Sequence, residues 1–182
     1  MNRLMRFLLI VIQTFLGFWC PADMAPAGLA CMDRYEAPNI EGARPLVMQS
    51  ALDGQSWCED RGKRLCSERE WDTACSEATE PCNNDKVWLP WEYETMETAS
   101  EVARLWQGTL SGASSTCRTP FGVFDLQGNV EEWVTAHKGR RRLYTLKGGW
   151  WAHKTSCTQA NNAHWRYYKN YETGFRCCLL PL

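Results

Sequence analysis

The chain has 182 residues, a formal charge of −1 from 20 Lys and Arg against 21 Asp and Glu, and ten Cys and ten Trp. That length suits one domain, or a domain with an appendage, and a 45% hydrophobic content excludes the disordered, collagen-like and coiled-coil classes. A near-neutral balance leaves no footprint for nucleic acid, because phosphate contacts need a clustered excess of Lys and Arg.

In chain order, Asn2-Arg3 and Arg6 precede the apolar runs Phe7-Leu8-Leu9-Ile10-Val11-Ile12 and Phe15-Leu16-Gly17-Phe18-Trp19. This is the pattern of an export signal, so residues 1–19 are expected to be a signal peptide and 20–182 a single domain. The apolar stretch is short of the roughly 18 to 20 residues that cross a bilayer, so no permanent membrane span is expected. The destination is then the periplasm, the cell surface or the medium. Export also accounts for the even set of cysteines, which would pair in an oxidising compartment. There is no CxxC pair, and the spacings between Cys58, Cys66 and Cys75 do not match a zinc knuckle.

A first short helix is expected over 50–62, with Ser50 as cap, Asp53 at the capping-box position and Gly62 as terminator. A second opens on the capping box Ser67-Glu68-Arg69-Glu70, with Trp71, Ala74 and Cys75 as its inward stripe. Residues 77–84 read as turn, and 92–106 as a third helix. The grammar then changes to short strands at 122–126, 132–135, 143–147 and 174–178, separated by Gly and Asn turns. Helices early and strands late indicate an α+β domain. The one basic run, Lys138-Gly139-Arg140-Arg141-Arg142, reads as a solvated loop between two strands.

Two segments carry candidate chemistry. In Gly128-Asn129-Val130-Glu131-Glu132-Trp133 the Gly and Asn permit a left-handed or bulged backbone that turns carbonyls inward, while Asp125 and Glu132 supply carboxylates. Hard oxygen donors of this kind suit calcium; a β-bulge with solvated acids is the plainer reading. The segment Trp165-Arg166-Tyr167-Tyr168-Lys169-Asn170-Tyr171 mixes aromatics with polar groups and lacks strand alternation, so Trp165, Arg166, Tyr167, Tyr168 and Tyr171 are candidates for a ligand surface. Trp71, Trp133 and Trp150 are read as core, Phe175 as inward, and Arg176 as tied to a carboxylate or backbone. His137, His153 and His164 have no helical i, i+4 spacing, so a nonheme-iron triad is not expected, and no phosphate loop or Ser-His-Asp set stands out.

Cys31-Met32-Asp33-Arg34-Tyr35-Glu36-Ala37-Pro38-Asn39, Gly62-Lys63-Arg64-Leu65, Glu68-Arg69-Glu70-Trp71, Phe121 through Trp133, Lys147-Gly148-Gly149-Trp150 and Gly174-Phe175-Arg176-Cys177 occur in that order. Together they resemble the formylglycine-generating enzyme, or sulfatase-modifying factor, family. The resemblance implies a variant of the C-type-lectin-like fold with two early helices, small antiparallel sheets and much irregular loop. It also implies structural calcium on the Asp125 side chain, the Gly128 and Val130 carbonyls and the Glu132 carboxylate. A second family calcium site near Asn83 falls in an abbreviated segment. Two disulfides are implied likewise, Cys58 with Cys177 and Cys75 with Cys157; elimination then leaves Cys82 with Cys117, Cys20 with Cys31, and Cys66 with Cys178.

The oxygen-dependent enzymes of that family carry two reactive cysteines shortly after the Gly-Gly motif, where they bind copper. Here the loop Gly149-Trp150-Trp151-Ala152-His153-Lys154-Thr155-Ser156-Cys157 offers one. The expectation is an exported, monomeric, calcium-stabilised binding or accessory module without copper, whose partner is a protein or a glycan. Two alternatives stand beside it: an oxidoreductase of the formylglycine-generating or nonheme-iron type acting on protein thiols, and a lectin-like glycan- or protein-binding module.

Overall fold

The computed structural model describes residues 19–78, 108–137, 141–151, 153–154 and 156–181. Residues 1–18 of the expected signal segment 1–19, the expected helix at 92–106 and Cys82 lie outside them.

Both expected early helices form, each from its capping box. Helix α1 spans Ala51–Glu59: Ser50 Oγ accepts the Asp53 N–H at 3.2 Å and the Asp53 carboxylate accepts the Ser50 N–H at 2.9 Å. Gly62, at φ 67°, turns the chain away beyond its end. Helix α2 spans Glu68–Ser76, with Ser67 and Glu70 exchanging the same pair of bonds. The two reciprocal caps satisfy N–H groups that a helix end otherwise leaves to water.

Among the described residues, nine short strands make three sheets. Strands β1 (Met24–Ala27), β2 (Ala30–Asp33), β9 (Cys177–Leu179) and β3 (Arg64–Leu65) lie side by side in that order, all antiparallel. A second sheet places β4 (Glu131–Thr135) between β5 (Tyr144–Lys147), antiparallel to it, and β8 (Thr173–Phe175), parallel to it. Strands β6 (Gly149–Trp150) and β7 (His153–Lys154) form a small hairpin.

Three expectations change. The run read as a strand at 122–126 is turn and loop, with an isolated bridge between Arg118 and Phe124 outside the sheets. The strand expected at 174–178 is two strands interrupted at Arg176, whose side chain goes to a buried carboxylate. Strands β1 and β2 were not foreseen, because Met, Ala, Pro and Cys give neither β-branching nor alternation; the two-residue Gly28-Leu29 link, with Gly28 at φ 63°, is the local sign of the hairpin.

Strand β9 is the junction of the molecule. Adjacent residues of a strand face opposite ways, and Cys177 joins the apolar cluster of Leu65, Trp133, Leu146 and Phe175 while Cys178 joins that of Met32, Trp71, Val123 and Val134. Each is a disulfide half, to Cys58 on α1 and to Cys66 before α2. Two further bonds join Cys20 to Cys31 and Cys75 to Cys157. All four pairs were named from the sequence; the fifth, Cys82 with Cys117, involves a residue outside those described. Close packing reaches the backbone at Gly54, where a β-carbon would stand 2.8 Å from the Phe175 ring.

Candidate functional site

Three regions bear the candidate chemistry. The first is the loop leading into β4. Asp125, Gly128 and Asn129 all hold left-handed backbone, at φ 57°, 85° and 61°. Asp and Asn accept that region more readily than other residues with a β-carbon. The consequence is a buried nest of carboxylates around one guanidinium. Arg176 grips Glu132 with two charge-assisted bonds, Nε to Oε2 at 2.8 Å and Nη2 to Oε1 at 2.6 Å, and the Trp71 indole N–H adds a third at 2.9 Å. Glu36 accepts from Ser111 and Asn129 at 2.8 Å each, and Asp125 accepts the Gly112 N–H at 2.7 Å.

Two of the implied calcium ligands, Asp125 and Glu132, are buried in this nest. Asp125 is buried beside surplus negative charge; burial, then the neighbouring acidic groups, pushes its carboxyl up to about 6. Burial and the Asp125 charge push Glu36 up to about 8. Three of the four lone-pair positions of the Glu132 carboxylate are taken by Arg176 and Trp71.

The second region is the Gly-Gly motif. Gly148 and Gly149 have φ 87° and 69°, and a β-carbon at Gly148 would meet the Leu126 carbonyl oxygen at 2.5 Å. The motif therefore lies directly on the carboxylate loop, with the Gly128 N–H donating to the Gly148 carbonyl at 2.9 Å. From there the chain runs through β6 and β7 to Cys157, whose sulfur is bonded to Cys75 of α2. Cys157 is the one cysteine of the sequence between Gly149 and Phe175, so this stretch presents no thiol.

The third is a cleft of about 490 Å³ lined by Arg141, Arg142, Tyr144, His164, Trp165, Arg166 and Tyr167, with Leu143 at its rim. The basic run and the aromatic segment, read separately in the sequence, meet here. Trp165 and Tyr167 are each 64% exposed, and the Arg142 and Arg166 guanidinium groups lie over their rings at 4.6 and 4.9 Å. His164 stacks on Tyr168, and burial together with the Arg142 charge pulls its imidazole below the ordinary value. No acidic residue is among those lining the cleft.

Tyr171 does not belong to this surface: it is 3% exposed and packs with Trp150 and Trp151, because an irregular segment sends successive side chains in unrelated directions. Trp71 and Trp133 are core as expected, and Trp150 is half-buried against that same aromatic cluster. Among the described residues, no helix is long and apolar enough to cross a membrane.

Comparison with known proteins follows the same lines. The chain is 25% identical over 121 residues to the formylglycine-generating enzyme of Mus musculus, a match covering 57% of this chain and 31% of that protein, so it spans about a third of that relative's length. Among solved structures it superposes on the Major Tropism Determinant I1 variant with a TM-score of 0.58 at 15% identity, covering 90% of this chain and 54% of that one. PvdO from Pseudomonas aeruginosa gives 0.54 at 20% identity, covering 96% and 76%. At such identities these likenesses show the fold, a C-type-lectin-like α+β arrangement. The sulfatase-modifying factor enzyme 1-like domain matches residues 29–179, and with its ordered motifs, paired capping boxes and disulfide frame the chain belongs to that family.

Proposed function

We propose that the protein is an exported binding or accessory module of this family rather than a copper-dependent oxidase. The observation that carries the reading is the Cys75–Cys157 bond. Holding a copper ion for oxygen chemistry calls for soft thiolate ligands, and the only cysteine in the loop after the Gly-Gly motif is consumed by this link. Four disulfides support an oxidising destination.

The cleft supports an anionic ligand with a flat apolar face, such as an acidic glycan. Guanidinium groups recognise carboxylate and sulfate in a bidentate manner, and exposed rings stack on sugar C–H faces. The test is isothermal titration with a sulfated disaccharide and its neutral parent. The sulfated sugar should bind saturably, at least tenfold tighter than the neutral one, and Arg141→Ala with Arg166→Ala should remove that preference. Conversion of a cysteine peptide to formylglycine by the copper-loaded protein would overturn the proposal, as would equal binding of both sugars.

Calcium is a second reading favoured by one observation: three buried carboxylates, Glu36, Asp125 and Glu132, face the single guanidinium of Arg176. Its ligands would be the Asp125 side chain and the Gly128 and Val130 carbonyls, with Glu132 kept by Arg176. A ligand bound only to the native state raises stability by about 2.7 kcal/mol at a hundredfold excess over its dissociation constant. Thermal unfolding should therefore shift upward with calcium relative to chelator, and Asp125→Asn should erase the shift. An unchanged midpoint would remove the calcium reading.

A further inference from the structure

We propose that Glu68, Asp72 and His137 form a binding site for a divalent transition-metal ion, separate from the carboxylate loop and the cleft. Glu68 and Asp72 are four residues apart on α2, which sets them on one helix face. His137 follows β4, whose last residue Thr135 bridges to Ser67, the cap of that helix. The pairing of strand and cap thus delivers the imidazole to the two carboxylates. His137 Nε2 stands 3.9 Å from Glu68 Oε2 and 4.0 Å from Asp72 Oδ2, and one donor atom from each of the three lies within 4.8 Å of the others. Donors around a tetrahedral ion at about 2.0 to 2.1 Å are roughly 3.4 Å apart, so closing the shell takes side-chain shifts of about 0.5 to 1.4 Å.

Neighbouring groups hold two of the three donors, the Glu68 and Asp72 carboxylates. The His137 backbone N–H donates to Glu68 Oε2 at 3.1 Å, fixing a carboxylate that is 1% exposed. Lys147, fully buried, sets its ammonium 2.7 Å from Asp72 Oδ1, the oxygen other than the one nearer His137. That ion pair lacks hydrogen-bond geometry at both atoms, and the Lys147 ammonium also lies over the Trp71 ring, 5.4 Å from its centre. The outer side is open: the His137 and Asp72 side chains are 47% and 33% exposed, which leaves room for water to complete the coordination.

The donor set of one imidazole and two carboxylates selects the class of ion. Calcium takes six to eight oxygens and gains nothing from imidazole, whereas zinc, cobalt and nickel accept nitrogen and carboxylate oxygen together. No pair of histidines is needed; the partners of the lone imidazole come from a helix about 65 residues earlier in the chain.

The experiment is titration of chelator-treated, oxidised protein with cobalt(II), read by visible absorption, and with zinc(II), read by calorimetry. One equivalent should bind. His137→Ala, at a half-exposed position that carries no core packing, should weaken the site at least a hundredfold; Asp72→Asn should weaken it at least tenfold. His164→Ala serves as control and should leave the affinity unchanged. Equal affinity in wild type and His137→Ala, or no cobalt absorption band, would overturn the proposal.

Discussion

Removing single disulfides should rank them in an order that sequence separation does not give. Cys66–Cys178 spans 112 residues and Cys75–Cys157 spans 82. Treated independently, chain entropy assigns the two bonds about 4.8 and 4.5 kcal/mol. The bonds are not independent, because each closes a ring through its neighbour. With Cys58–Cys177 in place, Cys66–Cys178 adds a ring of only about nine residues, eight from 58 to 66 and one from 177 to 178. With Cys66–Cys178 in place, Cys75–Cys157 adds one of about 30, nine from 66 to 75 and 21 from 157 to 178. The same relation then gives about 2.6 kcal/mol for the first and about 3.6 for the second. Guanidinium unfolding of the Cys66→Ala/Cys178→Ala and Cys75→Ala/Cys157→Ala pairs measures both, with the midpoint read at constant slope. The Cys75–Cys157 pair should cost more, by about 1 kcal/mol. A larger loss from the Cys66–Cys178 pair would refute the shared-ring reasoning.

In chelator, stability should fall as pH rises from 5 to 8. A carboxyl whose folded value is raised contributes stability that is complete below its ordinary value and lost as pH passes the folded one; for Glu36 that window runs from 4.5 to about 8, and for Asp125 from 3.8 to about 6. Glu36→Gln, which keeps partners for Ser111 and Asn129, should flatten the slope, measured as thermal midpoint against pH. Glu131 and Glu172, each pushed up to about 7 by burial, preserve part of it. An identical slope in the variant would count against the buried-carboxyl account. Arg176→Met should cost about 3 to 5 kcal/mol by stranding the Glu132 charge, and Arg176→Met with Glu132→Gln should recover part of the loss. Equal destabilisation of the single and double variants in urea would show that the ion pair is not the source.

What the sequence disclosed was local or framed by strong residue types. Ser50 with Asp53 and Ser67 with Glu70 are three-residue signals, and both helices start where those signals stand. The inward Phe175 and the carboxylate partner of Arg176 followed from one buried position beside one that must be neutralised. What stayed hidden depends on chain segments meeting. Strand β8 lies parallel to β4 some 42 residues away, a pairing no local pattern announces. The cleft needs Arg141 and Arg142 beside Trp165 and Arg166, and the metal cluster needs His137 beside α2. Tyr171 was misplaced because composition describes a segment as a whole, whereas a loop without period assigns each side chain separately.

The pairing of β2 with β9 sets Cys31 against Leu179, and so orders events as the chain is made. The β1–β2 hairpin has everything it needs within ten residues, yet its inner edge waits for almost the whole domain to follow. Until then β2 offers open N–H and C=O groups to any other strand, and closing so long a loop is entropically slow. Cys58 and Cys66 share that wait, since their partners are residues 177 and 178 while Cys20, Cys31 and Cys75 are at hand sooner. An oxidant acting early would trap the wrong pairs, so productive folding of this chain depends on thiol–disulfide exchange remaining open until its last strand arrives.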